Sequence, residues 1–495
     1  MPCEFYKFFW KDISSLVVDS LNCGYNNGEL SIEQRRGLIT LIPKKDKDRA
    51  FLKNWRPLTL LNTDYKILAK ALANRISPLL DKLIHHNQTG YVKGRYIGEN
   101  IRTISDLKEY LLAKNKTGIL LLIDFEKAFD SVKWKFIQKT LIAFNFGKSF
   151  RKWVEVLYQN VQSAVLNNGY ITQFFNLERG VRQGCPLSVY LFLLVVELMA
   201  IYIRSEEKIK GVELTDHKIV ISQLADDTSI FLEGPQYIAP LLSVLKKFAI
   251  CSGLKTNVEK TKVYNIGNGY IVNHQLQGMK LDNGPIKLLG IAITNNEKEN
   301  IENNYLPKVK TMRHLLNIWS QRNLSLKGKI TVINALIISL FVYPMTITDT
   351  PIMILDEIDN AIFSFLWGGK RPKISKSVIQ KQIEHGGLKM PNIYLKSKAW
   401  KVMWLKRAYL KPENDWVRIL DHLLGKVKFI DFMQCNSGDK SKIQRRLPLF
   451  YQNILSDFHN ISTNNISTNL EIQNQIIWYN HNITIEKSTF LAKVV

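Results

Sequence analysis

The sequence contains little cysteine, and its cysteines form no pattern that would bind zinc or build a disulfide framework. It has no C-x-x-C pair and no matching cysteine–histidine cluster; the five cysteines are Cys3, Cys23, Cys185, Cys251 and Cys435. A zinc knuckle and a disulfide-stabilised secreted domain are therefore not indicated, and a reducing compartment is favoured.

A secretory signal is missing as well, and the apolar run near residue 200 is short. The apolar run from Leu191 to Ile203 contains Glu197 and is shorter than the ~20 residues that cross a bilayer, so it predicts a buried core helix. The N-terminal stretch MPCEFYKFFWKD lacks the charged start, apolar stretch and cleavage site of a signal peptide. We expect an intracellular protein, in the nucleus and cytoplasm, without a membrane partner.

Acidic residues are too few to balance the basic ones. The chain has 68 lysines and arginines against 43 aspartates and glutamates, a net charge of +25 spread along its length. Such a charge favours polyanions, with nucleic acid the first candidate, while a generic basic protein or one that touches anionic membranes stays open. An apolar content of 46% predicts a folded chain.

Two apolar segments end in carboxylates. Residues 118–123 (GILLLI) predict a buried strand that ends at Asp124, and residues 218–233 (KIVISQLADDTSIFLE) predict a hairpin with Asp226 and Asp227 at its tip. Helical patterns lie between them, which indicates an α+β fold with an antiparallel sheet. If the strands pair, the carboxylates would suit Mg²⁺ and phosphoryl transfer, although an Asp-Asp pair alone is common in turns.

Several motifs, in order, resemble the reverse transcriptases of LINE-type non-LTR retrotransposons. Three match the family's catalytic motifs: IDFEKAFDSV (123–132), GVRQGCPLS (180–188) and LADD (224–227). Others resemble its finger, primer-grip and thumb segments: NWRPLTLLNTDYKILAKALANR (54–75), QTGYVKGR (88–95), residues 288–291, LSLKGK (324–329), FLWGGK (365–370) and GGLKMPN (386–392).

The resemblance implies a right-hand polymerase, with fingers and an antiparallel-sheet palm followed by an α-helical thumb and a C-terminal helical region. The expected divisions are a leader helix region (1–30), fingers and palm (31–295), a helical thumb and connection (296–410) and a C-terminal tail (411–495). After about residue 435 the tail is rich in Asn, Ile and Ser and has few large apolar clusters, which makes its order doubtful.

The resemblance also implies a metal site with two Mg²⁺ ions. Asp124 and Asp226 would be the principal ligands, with Asp227 supporting them and the carbonyl of Phe125 as an additional ligand. Lys260 in GLKTNVEKTK resembles the family's lysine that donates a proton to pyrophosphate.

Four further residues would bind the nucleotide. Phe129 occupies the family's steric-gate position, where its ring would reject a 2′-hydroxyl, although spacing alone favours a core residue. Gln183 and Gly184 lie where the backbone approaches the nucleotide and template base, since glycine has no Cβ. Arg56 would contact the triphosphate, with an ordinary surface ion pair as the alternative.

The expected activity is RNA-directed DNA synthesis from a primer 3′-hydroxyl, with an RNA template, a DNA primer and deoxynucleoside triphosphates as partners. The endonuclease domain and Cys/His knuckle of autonomous family members are absent from this chain, so we expect a truncated copy. A catalytically impaired nucleic-acid-binding remnant remains an alternative, because Leu224 and Val189-Tyr190 depart from the family pattern. An intron maturase shares the core motifs, but the finger and thumb segments argue against it.

Overall fold

The fold is described from a computed structural model in which the chain divides into two compact units. The structure describes residues 2–45, 47–215, 217–268, 276–294, 296–425, 427–434, 440–462, 484–485 and 488–489, so the predicted tail lies partly outside the described residues. Unit 1 comprises Met1–Tyr96, Thr117–Glu213 and Lys218–Asp282, and unit 2 comprises Ile97–Lys116, Leu214–His217 and Asn283–Val495.

Strands and helices alternate up to about residue 290, and helices dominate the described residues beyond it. The strands are β1 (Arg36–Pro43), β2 (Trp55–Leu61), β3 (Ile119–Ile123), β4 (Gln162–Asn167), β5 (Tyr170–Ile171), β6 (Phe175–Asn176), β7 (Val212–Glu213), β8 (Lys218–Ile219), β9 (Ile221–Leu224), β10 (Asp227–Leu232), β11 (Lys262–Asn265), β12 (Lys280–Leu281), β13 (Ile286–Leu288), β14 (Ile291–Ile293), β15 (Thr484–Ile485) and β16 (Ser488–Thr489). The helices are α1 (Cys3–Phe8), α2 (Trp10–Asn27), α3 (Ile32–Arg35), α4 (Thr63–Ile76), α5 (Leu80–Leu83), α6 (Gly98–Ala113), α7 (Ala128–Ser131), α8 (Trp134–Ala143), α9 (Lys148–Tyr158), α10 (Ser188–Ser205), α11 (Ile238–Ser252), α12 (Glu297–Asn300), α13 (Leu306–Ser320), α14 (Leu326–Val332), α15 (Ser339–Ile347), α16 (Ile352–Trp367), α17 (Lys376–Ile379), α18 (Ile393–Leu410), α19 (Asp415–Leu424), α20 (Phe429–Gln434), α21 (Lys440–Gln444) and α22 (Leu449–Ser462).

The palm sheet of unit 1 has the strand order β12-β11-β3-β10-β9. Its central strand β3 reads ILLLI and is apolar throughout, as expected of a strand covered on both faces. Neighbouring strands run antiparallel, apart from the parallel pair β11–β12 at one edge. The α+β fold with an antiparallel palm sheet is therefore confirmed.

Helix α10 belongs to the core of unit 1, where it packs between α8 and α11. By length and composition, α10 and the helical run Leu326–Ile347 of unit 2 could each cross a membrane. Their most apolar windows are 61% and 56% buried within the protein, which is typical of core helices. Burial in the unit 1 core explains the apolar run in α10, as the sequence predicted.

The second sheet of unit 1 forms the fingers, with the order β2-β1-β4-β5 and β6 paired to β4. β1 and β2 form a long antiparallel pair, while β1 and β4 run parallel. The amide of Thr59 in β2 donates to the carbonyl of Gln183 at 2.9 Å. One strand of the fingers sheet is thus bonded directly to the GVRQGCPLS segment.

The C-terminal segment of unit 2 begins with the hairpin β13–β14, whose turn Leu289-Gly290 lies in the segment that resembles the primer grip. A π-helix at Ile301–Tyr305 places Asn304 against this hairpin. The Asn304 side chain accepts from the amide of Ala292 and donates to its carbonyl, both at 2.8 Å. The hairpin is thereby fastened to the helical part of its own unit.

Helix α6 precedes β3 in the sequence but belongs to unit 2, where it packs against α15 and α19. Its Arg102 and Asp106 form a buried ion pair, and the hydroxyl of Tyr451 donates to Asp106 at 2.7 Å. The Arg102 guanidinium lies 4.1 Å from the ring centroid of Phe450. Burial raises the pKa of Asp106 to about 6, although Arg102 and Tyr451 oppose the shift.

We predict that Arg102→Met destabilises the protein strongly, because it leaves the buried Asp106 carboxylate without its counter-ion. The expected loss is about 3–5 kcal/mol of unfolding free energy, measured by urea denaturation. The double variant Arg102→Met/Asp106→Leu removes both charges and should recover most of the loss. Equal instability of the single and double variants would contradict this account of the pair.

Candidate active site

Three aspartates meet at one end of the palm sheet. Asp124 directly follows β3, and Asp227 is the first residue of β10. Ile123 pairs with Thr228 in antiparallel register. Continued by one residue, this register places Asp124, which follows Ile123, across from Asp227, which precedes Thr228. Asp226 occupies the turn between β9 and β10. The structure thus brings together the three carboxylates that the sequence singled out.

The charges of these carboxylates act on one another. Burial raises the pKa of Asp226 and the charge of Asp124 adds to the shift, whereas a backbone hydrogen bond opposes it. Burial raises the pKa of Asp227 to about 6, with the charges of Asp226 and Asp124 adding to it. A cation bound among these oxygens would remove the repulsion. Oxygen-only donors of this kind suit Mg²⁺.

Lys260 lies beside Asp124 in a segment that hydrogen bonds join to the backbone of Asp124. Its Nζ lies 4.0 Å from Oδ2 of Asp124, and its amide donates to Oδ1 of Asn257 at 3.2 Å. The amide of Asn257 donates to the Asp124 carbonyl at 2.7 Å. The amide of Asp124 in turn donates to Oγ1 of the buried Thr261 at 3.3 Å. Both backbone groups of Asp124 are thereby bonded to the segment that carries Lys260.

Phe125 follows Asp124 and forms an isolated antiparallel bridge with Thr256. Its ring belongs to the core of unit 1, so the side chain anchors the carboxylate that precedes it. The backbone of Phe125 lies beside the site, and the ligand role of its carbonyl stays a prediction.

Phe129 lies in α7 and stacks on Phe192 of α10, with ring centroids 4.3 Å apart and an interplanar angle of 19°. Its side chain is only partly buried and packs against the core, while its carbonyl accepts from the Val181 amide at 2.7 Å. One face of the ring is therefore supported by the core. A supported and partly exposed ring satisfies both readings of Phe129, as a core residue and as a gate.

Gln183 and Gly184 form a close junction with the fingers strand β2. Gly184 has a φ of +112°, and a Cβ at this position would lie 2.4 Å from the carbonyl oxygen of Thr59. Only glycine fits here without displacing the backbone. The Gln183 side chain donates to Oδ1 of Asp130 at 3.2 Å. The junction ties the fingers sheet to the segment that bears Phe129.

Asp130 was missed from the sequence as a site residue. Burial raises its pKa, while its hydrogen bond from Gln183 and the charge of Lys127 lower it. The IDFEKAFDSV motif contains this second aspartate, but only the fold shows that it meets Gln183.

Arg56 lies in β2, where it pairs across the hairpin with Ile42 and is exposed. It is three residues from Thr59, the residue that contacts Gln183 and Gly184. Arg56 therefore sits on the fingers strand that reaches the site, and its role toward a triphosphate stays a prediction.

The QTGY segment was also missed as part of the carboxylate site. Gln88 forms a parallel bridge with Gln223 of β9, and Gly90 packs directly on the turn that contains Asp226. The resemblance assigns this segment to the fingers. It lies more than 100 residues from the LADD motif, so the sequence alone does not show that the two segments are in contact.

Comparison with known proteins agrees with this geometry. The family profile described as reverse transcriptase (RNA-dependent DNA polymerase) matches residues 42–293. The Transposon TX1 uncharacterized 149 kDa protein of Xenopus laevis is 28% identical over 473 residues, which are 93% of this chain and 36% of that protein. A Pol polyprotein from the type-1 retrotransposable element R2 of Popillia japonica is 27% identical over 45% of this chain and 31% of its own length. This chain thus spans about a third of the length of these relatives.

Solved telomerase structures are also similar, at low identity. Apo telomerase from Candida tropicalis aligns over 83% of this chain and 74% of its own, with 12% identity and a TM-score of 0.44. The complex of that telomerase with a telomeric RNA fragment aligns over 82% of this chain and 67% of its own, with 14% identity and a TM-score of 0.43.

The profile covers half of the chain and includes all three aspartates, and the curated relatives are proteins of non-LTR retrotransposons. The chain belongs to the reverse transcriptase family, of the kind found in non-LTR retrotransposons.

Proposed function

We propose that this protein extends a primer 3′-hydroxyl with deoxynucleotides on an RNA template by two-metal phosphoryl transfer. The observation that carries the proposal is the convergence of Asp124, Asp226 and Asp227 at one end of the palm sheet, with raised pKa values at Asp226 and Asp227. Clustered carboxylates that repel one another are costly without a cation, so their presence indicates a metal-binding role.

The donor set fits two Mg²⁺ ions. Asp124 and Asp226 would hold them, with Asp227 and the Phe125 carbonyl alongside. When bound, the ions supply charge stabilisation to the attacking and leaving oxygens of the reaction. All the donors are oxygens, and Asp124 is about half exposed, which leaves room for substrate phosphates.

Other residues act on the nucleotide and the leaving group. Lys260, held 4.0 Å from Asp124, would donate a proton to the departing pyrophosphate. The exposed guanidinium of Arg56 would contact the triphosphate from the fingers strand. Gln183 and Gly184 would let the backbone approach the base pair, since the φ of Gly184 admits no other residue without strain.

The partners follow from this chemistry and from the charge. An RNA template, a DNA primer and deoxynucleoside triphosphates are all polyanions, which the net charge of +25 favours. We assign the activity to a retrotransposon setting inside the cell, in the nucleus and cytoplasm, because the relatives are retrotransposon proteins.

Primer extension with Mg²⁺ and deoxynucleotides on an RNA template tests the proposal. Asp226→Asn should lower the extension rate by about 10²–10³-fold or more, because it removes a charge from the metal site. Asp19→Asn, at an exposed aspartate of α2, serves as the matched control and should change nothing. A folded wild-type protein that binds RNA–DNA hybrids in a salt-sensitive manner without synthesis would instead identify a non-catalytic remnant.

Phe129→Val tests the gate. If the ring excludes a 2′-hydroxyl, the preference for deoxynucleotides over ribonucleotides should fall by about 10–200-fold. The readout is the ratio of kcat/KM values for the two nucleotides, since a folding defect lowers both equally. An unchanged ratio would assign Phe129 to the core alone.

Acidification should weaken Mg²⁺ binding, because protons compete with the metal for the carboxylate oxygens. With a pKa of about 6, Asp227 is largely ionised above pH ~7 and protonated below pH ~5. The Mg²⁺ concentration for half-maximal extension should therefore stay level above pH ~7 and rise up to about tenfold per pH unit below pH ~6. Mg²⁺ titrations of extension from pH 5 to pH 8 measure this dependence, and equal midpoints throughout would contradict it.

A further inference from the structure

The turn that carries Asp226 has a backbone shape that its residues do not favour on their own. β9 and β10 are joined by Ala225 and Asp226, and Ala225 has a φ of +54°. This left-handed conformation is unfavourable for a residue with a Cβ. The repulsion among Asp226, Asp227 and Asp124 adds to the tendency of the turn to change shape. Contacts from outside the β9–β10 hairpin are therefore needed to stabilise this turn.

One side chain bonds both backbone groups of Ala225. Oε1 of Gln88 accepts from the Ala225 amide at 2.8 Å, and its Nε2 donates to the Ala225 carbonyl at 3.3 Å. The same Oε1 accepts from the amide of Gly90 at 2.9 Å. Gln88 is 0% exposed, so water does not compete for these bonds. The Gln88 carboxamide thus pairs with the amide and the carbonyl of Ala225, as the backbone of a neighbouring strand would.

The segment around Gln88 is itself fixed to the edge strand β9. The amide of Thr89 donates to the Gln223 carbonyl, and the amide of Gln223 donates to the Asn87 carbonyl, both at 2.8 Å. A Cβ on Gly90 would lie 2.6 Å from the Ala225 nitrogen, so the two backbones touch. The guanidinium of Arg95 donates to the Gln88 carbonyl at 2.8 Å, which adds a further bond to the backbone of this segment.

We propose that Gln88 is a positioning residue that holds Asp226 and Asp227 in the arrangement that binds the metal ions before these ions arrive. It touches neither substrate nor metal and acts through Ala225, the residue before Asp226. The inference rests on the proposed two-metal chemistry and adds a residue from the QTGY segment to it. Pre-organisation of this kind lowers the cost of gathering like charges when the ions bind.

Gln88→Met tests the proposal, because methionine has a similar length and none of the hydrogen bonds. The matched control is Gln34→Met. Gln34 is also a buried glutamine of unit 1, and its amide bonds Ser31 and Ser20 in the α2–α3 region. Both variants lose a buried carboxamide, but only one loses contact with the Ala225 turn.

Two readouts do not depend on activity. Mn²⁺ binding to the full chain without nucleic acid is followed by electron paramagnetic resonance, with Asp226→Asn defining the signal of this site. Gln88→Met should raise the Mn²⁺ dissociation constant about tenfold and speed hydrogen exchange of the Ala225 and Gly90 amides by at least about tenfold. Gln34→Met should leave both readouts within twofold of the wild type.

Gly90→Ala provides a second variant if Gln88→Met does not fold. It keeps the Gln88 carboxamide and places a methyl group against the Ala225 amide, so the same weakening of Mn²⁺ binding is expected. Mn²⁺ binding within twofold of the wild type in either folded variant would overturn the positioning role. So would a wild type that binds no Mn²⁺ at this site. A wild type that binds Mn²⁺ but extends no primer would overturn the proposed function, while the positioning role of Gln88 would still be supported by Mn²⁺ binding and hydrogen exchange.

Discussion

The mutual repulsion of Asp124, Asp226 and Asp227 is the constraint that the backbone around the site has to satisfy. Three like charges at one end of the palm sheet would move apart unless the backbone that carries them were held from several sides. The structure restrains Asp124 through Asn257 and Thr261, which bond its carbonyl and amide. The turn before Asp227 is bonded through Gln88. The paired strands β3 and β10 complete the frame. The repulsion is thus opposed by hydrogen bonds to the backbone that carries these carboxylates.

Backbone contacts also fix the junction between the fingers sheet and the Gln183–Gly184 segment. The Thr59 amide bonds the Gln183 carbonyl, and Gly184 lets the two backbones approach more closely than any residue with a Cβ would allow. Because Gln183 also reaches Asp130, the strand that carries Arg56 is linked to the helix turn that carries Phe129. Residues with separate predicted roles in nucleotide binding therefore belong to one connected network. A displacement of one of these residues would therefore displace the others.

Much of this was predictable from the sequence, for physical reasons. The run Ile119–Ile123 is apolar because both faces of β3 are covered, and two apolar stretches around an Asp-Asp pair indicate a hairpin. What escaped prediction depends on contacts between distant segments. Periodicity cannot show that Gln88 bonds a turn 137 residues away, nor that Asp130 meets Gln183. It also cannot show that α6, which lies between two segments of unit 1, belongs to unit 2, because its amphipathic pattern is the same in either unit. The roles of Arg56, Lys260 and the Phe125 carbonyl remain predictions from the resemblance.

The proposed function requires that Asp124, Asp226 and Asp227 form one metal site for DNA synthesis. The most direct measurement is the anomalous diffraction of Mn²⁺ in crystals of the protein with an RNA template, a DNA primer and a non-hydrolysable deoxynucleotide analogue. Two Mn²⁺ peaks about 3.5–4 Å apart are expected, bound by Asp124 and Asp226 beside the nucleotide phosphates. A complex in which the template and primer are bound and no Mn²⁺ peak lies at these carboxylates would contradict it.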